Sequence, residues 1–148
     1  YTVWISDRDE QTDTDFELEA GGNRLAFQVT EVQTPGRRRG DEYRHRAVGS
    51  WTEEDWTPGS ESGPRWIRDA IEKKAKRYSQ SESLNLLVYL NFPAWDQQYV
   101  DVAREAAGPA SAFQSVWLLN GNALCHVKAH PSLPSIGGWL MISESLAQ

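Results

Sequence analysis

The chain has 148 residues, of which 39% are hydrophobic and 24% charged, and its 15 basic and 21 acidic side chains give a formal net charge of −6. This length suits one domain. The balance excludes a mainly disordered chain and a uniformly basic nucleic-acid binder, though not a local basic groove. A single cysteine, Cys125, excludes an intramolecular disulfide and a multi-cysteine zinc site, and no apolar run is long enough to span a membrane as a helix.

The expectation is therefore one domain over residues 1–148, in the cytoplasm, with no membrane partner and its oligomeric state open, a homodimer included. No basic-then-apolar leader is visible, and whether residues precede Tyr1 is left open.

The first third reads as β. Tyr1–Ser6 is rich in aromatic and β-branched residues. After the polar stretch Asp7–Asp15, Phe16–Ala20 alternates apolar and acidic side chains. Gly21-Gly22-Asn23 is a turn signal, and Leu25–Val32 resumes the strand, which predicts a hairpin. Thr34–Pro64 is read as a long connection. It holds the basic run Arg37-Arg38-Arg39, a short helix over Asp41–Val48, Trp51 and Trp56 around an acidic triplet, and a Pro/Gly/Ser stretch from Thr57.

A helix is predicted over Pro64–Gln80, where Trp66, Ile67, Ala70, Ile71, Ala75 and Tyr78 recur at helical spacing. Lys73, Lys74, Lys76 and Arg77 load its last turns with positive charge, which complements the macrodipole. Leu84–Phe92 is short and nearly all apolar, like a central strand buried on both faces. Tyr99–Ala107 is predicted helical, ending at Gly108-Pro109. Ser115–Leu119 and Ala123–Val127 flank Asn120-Gly121-Asn122 as a second hairpin, and Trp139–Ile142 is a last short strand. This order predicts an α/β or α+β layer fold, a mixed sheet covered by helices.

Candidate chemistry sits in Asp13–Gln33. Asp15 opens one hairpin strand and Glu31 closes the other, so the turn brings these strand ends together. Phe27, Val29, Glu31 and Gln33 alternate onto one face, and Glu17 shares a face with Asp15. Two or three carboxylates meeting there would bind a hard divalent cation through oxygen, and such an ion activates water and stabilises phosphoryl charge. Acidic residues at hairpin ends also serve simply as solvated charges.

Asp15-Phe16-Glu17, a hairpin, then Glu31-Val32-Gln33 resembles the core of the PD-(D/E)XK nuclease superfamily, the restriction-endonuclease-like fold. There an Asp on one strand precedes a (D/E)-x-K on the next, followed by a helix and a strand. Here those are Ala70–Tyr78 and Leu86–Leu90. The resemblance covers roughly Phe16 to Leu90. It implies a restriction-endonuclease-like mixed sheet flanked by helices, and Mg-dependent hydrolysis of DNA. Asp15 and Glu31 would hold the metal, with Glu17 as a further ligand. Thr14 stands where the family often has Pro, and Gln33 where it usually has the catalytic Lys. A glutamine carries no positive charge. Gln33 would orient water or backbone, and Lys74, on a stripe with Ile67, Ile71 and Tyr78, would supply the cation from the helix. Its ammonium is then expected within reach of Asp15 or Glu31, directly or through one water. The rival reading is the same fold without catalysis, binding protein or nucleic acid.

Arg37–Arg39 with Arg44 and Arg46 could contact phosphates or stay an ordinary solvated loop. His126 and His130 are four apart, but Pro131 and a strand-like context spoil a helical zinc pair, and Cys125 reads as core. No phosphate-binding P-loop or dinucleotide fingerprint is present.

Overall fold

In the computed structural model the described residues are 2–5, 14–20, 22–33, 53–78, 83–92, 99–133 and 139–141. The strands are β1 (Thr2–Ile5), β2 (Phe16–Ala20), β3 (Asn23–Gln33), β4 (Asn85–Asn91), β5 (Ser115–Asn120), β6 (Ala123–Lys128) and β7 (Leu140–Met141). The helices are α1 (Glu53–Arg77) and α2 (Tyr99–Ala110). All seven strands form one mixed sheet in sequence order. β1, β2 and β3 run antiparallel, β3, β4 and β5 parallel, and β6 and β7 antiparallel again.

Both expected hairpins form. β2 and β3 pair from Phe16 opposite Phe27 to Ala20 opposite Asn23, and Gly22 turns the chain at φ +83°. In the second hairpin Asn120 faces Ala123, with Gly121 at φ +61°. Such backbone favours glycine, which has no Cβ to clash.

The two crossovers, β3–α1–β4 and β4–α2–β5, step across the sheet in the same direction. Right-handed connections stepping one way place their helices on one face, and the packing agrees. Ile67 and Ile71 of α1 and Val102, Ala106 and Ala110 of α2 share one buried cluster with Val32, Leu86, Val88, Leu90, Val116, Leu118 and Cys125. Each such aliphatic side chain contributes roughly 1.5–3 kcal/mol on burial. Cys125 is a core residue, as expected. The other face carries Leu25, Phe27 and Trp117, with Phe16, Leu18, Leu87, Leu124 and Leu133 against them. Phe16 stacks on Phe27 across the hairpin at 4.8 Å. A mixed sheet covered by helices was expected; both described helices pack on one side of it.

Two helix boundaries also differ from expectation. α1 begins at Glu53 and runs through Pro58, Gly59, Gly63 and Pro64, where a connection was expected. Each proline deletes one backbone hydrogen bond but leaves the flanking ones. Burial of Gly63, Pro64 and Ile67 holds the middle turns to the core. α2 likewise continues through Gly108 and Pro109 to the buried Ala110. The Lys128 ammonium then donates to the carbonyls of Ser111 and Phe113 just beyond that helix end. On the solvent side of α1, Lys76 pairs with Glu72 at 3.0 Å and holds its carboxyl below the ordinary value. No helix among the described residues is long and apolar enough to cross a membrane.

A buried polar tie joins the N-terminal ends of the parallel strands. The fully buried Asn85 donates from Nδ2 to the Ala26 carbonyl at 3.1 Å and to Gln114 Oε1 at 3.2 Å. Its Oδ1 accepts the Ser115 hydroxyl at 2.6 Å, and Ser115 Oγ in turn accepts the Trp117 indole N–H at 2.9 Å. Unpaired, these groups would each carry a desolvation cost, so they specify the β3–β4–β5 register.

Candidate functional site

Strand parity sorts the candidate residues. Val32 packs in the helix-side core, so Gln28 and Thr30 share the α1 face. Phe27 packs in the opposite cluster, so Val29, Glu31 and Gln33 follow it to the face away from α1.

Asp15 lies just before β2. Its N–H donates to the Phe27 carbonyl at 2.8 Å, and its Oδ2 accepts the Val29 N–H at 2.8 Å. The carboxylate thereby continues the β3 ladder where β2 stops. Glu17 sits within β2 opposite Ala26 and lies 3.7 Å from Arg24 in an exposed ion pair. Glu31 faces Tyr89 in register, and its Oε1 accepts the Asn91 Nδ2 at 2.7 Å. Gln33 ends the strand opposite Asn91. Its Oε1 is buried, and no donor among the described residues reaches it.

Lys74 is half-buried on α1, with its ammonium 5.7 Å from the centre of the Tyr78 ring, over which Arg77 also sits at 5.6 Å. Burial lowers its pKa most, Arg77 and Lys73 lower it further, and the negative charge of Asp15 opposes them. The Tyr78 hydroxyl donates to the buried Gln28 Oε1 at 3.1 Å, pinning the end of α1 to β3. Asp15 and Lys74 thus interact through space on the α1 face, beside Gln28 and Tyr78. No ion pair of 4 Å or less joins Lys74 to Asp15 or Glu31 among the described residues.

A cleft of about 460 Å³ opens between β3 and α1. Thr30, Glu31, Val32 and Gln33 line one wall, and Trp66, Asp69, Ala70, Lys73, Lys74 and Arg77 the other. Three cations against two carboxylates make it locally positive in a chain of net charge −6. One of those carboxylates, Glu31, already accepts from Asn91.

Each of the three candidate carboxylates has a structural partner. Asp15 uses an oxygen on a strand-edge N–H, Glu31 uses one on Asn91 toward the far face, and Glu17 is turned to Arg24. No group of three His, Cys, Asp or Glu is placed to hold a metal among the described residues. His126 meets the Trp117 ring edge-on at 5.3 Å, and His130 Nδ1 accepts the Ser132 N–H at 3.0 Å, so each has its own structural contact. Arg37–Arg39, Arg44, Arg46, Trp51 and the helix expected over Asp41–Val48 lie outside the described residues.

Gln28, Tyr78, Trp66, Asp69, Lys73 and Arg77 had not been singled out as site residues from the sequence. A signal existed for most of them. Trp66, Asp69, Lys73 and Arg77 fall at helical spacing along one strip, and Gln28 is a polar residue on the buried face of an apolar strand. No family model matches this chain, and no curated protein or solved structure matches it.

Proposed function

We propose that the chain is a restriction-endonuclease-like domain that binds nucleic acid through the β3–α1 cleft, without hydrolysis by an Asp15–Glu31 metal pair. The observation that carries this reading is the cluster of Lys73, Lys74 and Arg77 along one wall of the cleft. Burial lowers the pKa of Lys74 most, and repulsion from Arg77 and Lys73 lowers it further. Phosphate oxygens would relieve that repulsion and accept their hydrogen bonds. The hairpin, crossover helix and parallel strand, in a mixed α/β sheet, support that reading. Separation of the carboxylates weighs against catalysis by that pair.

One observation favours Mg-dependent hydrolysis of DNA as a second reading: Asp15 still acts on Lys74 across the α1 face. Gel-shift and cleavage assays on end-labelled DNA, with and without Mg²⁺, separate the two. Salt-dependent binding, weakened by Lys74→Ala and without cleavage, is the expected result. Three phosphate contacts would give a slope of log K on log salt of roughly −2 to −3. Mg-dependent cleavage that Asp15→Asn abolishes would establish the second reading. Neither binding nor cleavage would end both.

A further inference from the structure

Resting on the nucleic-acid reading, we infer that the cleft holds one unstacked nucleotide, its base at the Trp66 end and its phosphate at the Lys74 end, so that single strands are preferred over duplex. The two ends of the cleft differ in chemistry. Trp66, Asp69, Ala70, Lys73, Lys74 and Arg77 follow one another at helical spacing, so they form a single strip on α1. At 1.5 Å rise per residue, Trp66 stands about 10 Å from Lys73 and about 16 Å from Arg77. Aromatic surface at one end and cationic surface at the other match a molecule whose base and phosphate lie at opposite ends.

The apolar end is prepared for a ring. Trp66 is half-buried, held edge-to-face against Phe92 at 5.1 Å, and lines the cleft. An indole fixed by its neighbour stacks on a base at little entropic cost, and base–aromatic stacking tolerates any sequence. The polar group next along the strip is an acceptor. Asp69 carries an exposed carboxylate one turn beyond Trp66. An acceptor there calls for a ligand that donates; cytosine and adenine offer a two-proton exocyclic amine, whereas thymine offers a single ring N–H.

At the other end Lys74 is crowded by Lys73 and Arg77 and partly desolvated, which strengthens its attraction for an anion. A volume of about 460 Å³ is that of a small-molecule site. It admits one nucleotide but not a base pair with two backbones.

Fluorescence anisotropy with labelled dC12, dT12 and a 12-base-pair duplex tests this on the whole chain, with circular dichroism confirming that each variant folds. The single strands are expected to bind roughly tenfold tighter than duplex, as one stacked base would supply. Trp66→Ala should remove that preference, whereas Trp66→Phe, which keeps a ring and the packing on Phe92, should retain most of it. Asp69→Ala should erase a preference for dC12 over dT12, and Lys74→Ala should weaken all three ligands. Competition by dCMP at millimolar concentration supports the same site. If dCMP binds as tightly as dC12, the ligand is a free nucleotide and the single-strand preference is overturned. Equal binding of duplex and dC12, or an equal loss for both in Trp66→Ala, also overturns the inference while leaving the nucleic-acid reading standing. Failure of the wild-type chain to bind any of the three would instead remove that reading itself.

Discussion

Asn85→Ala should be among the most damaging polar substitutions in this chain. The side chain is fully buried and ties three parallel strands together. Removing it leaves the Ser115 hydroxyl without its acceptor and the Ala26 carbonyl without the amide donor. Gln114 is exposed and can turn to water, so it adds little. One buried and one part-buried orphan, at about 1–3 kcal/mol for a fully buried group and less for the other, give a loss of roughly 3–4 kcal/mol before any cavity term. For a domain of this size that corresponds to a fall in melting temperature of roughly 10 °C. Asn85→Asp has nearly the same shape and keeps the acceptor for Ser115, but sets a carboxylate oxygen against the Ala26 carbonyl and Gln114 Oε1. Burial then raises that carboxyl's pKa above its unfolded value of about 3.9. The folded state binds the proton more tightly, so the penalty is small below the unfolded pKa and grows as pH rises through the folded one. Urea unfolding followed by far-ultraviolet circular dichroism at about pH 5 and about pH 8 reads both effects. An alanine variant within about 1 kcal/mol of wild type, or an aspartate variant indifferent to pH, would refute the buried tie and with it the β3–β4–β5 register.

Other substitutions probe the site and the turns. Asp15→Ala should cost about 1 kcal/mol, because the Val29 N–H loses its acceptor, whereas Asp15→Asn keeps an acceptor and should cost less than half of that in urea titrations. Lys74→Met should unfold at equal or higher urea than wild type at neutral pH, since it removes a partly buried charge crowded by Arg77 and Lys73. A folded lysine pKa below the unfolded one penalises the charged form, so the advantage should shrink as pH rises from the folded pKa through the unfolded value; a clear loss of stability at neutral pH would contradict the crowding. Gly22→Val should destabilise by roughly 1–2 kcal/mol, because β-branched residues resist positive φ, and thermal melting that shows no loss would place the turn in another backbone region.

The sequence alone made the hairpins, the central strand and the heart of α1 legible, because each rests on local chemistry. Gly22 and Gly121 stand where positive φ is needed, Leu86–Leu90 is too apolar for any exposed element, and Ile67, Ile71 and Tyr78 repeat at helical spacing. The start of α1 was not legible. Pro58, Gly59, Gly63 and Pro64 each disfavour a helix locally, and the burial of Gly63, Pro64 and Ile67 is a tertiary term that local propensity does not contain. The candidate site shows the same division. Alternation correctly placed Glu31 and Gln33 on the face of Phe27 and Val29, and the pairing of Asp15 with Glu17 on one face was equally local. Whether those two faces coincide depends on the register of β2 against β3, and on the side of the sheet that right-handed crossovers assign to α1. Phe16 pairs with Phe27, which turns Glu31 away from the helix, while Asp15, Gln28 and Lys74 remain on its side. A one-residue shift in that pairing would reverse the outcome, because side chains alternate with a period of two. Which carboxylate faces the lysine is therefore a property of strand register and layer order, settled by tertiary packing.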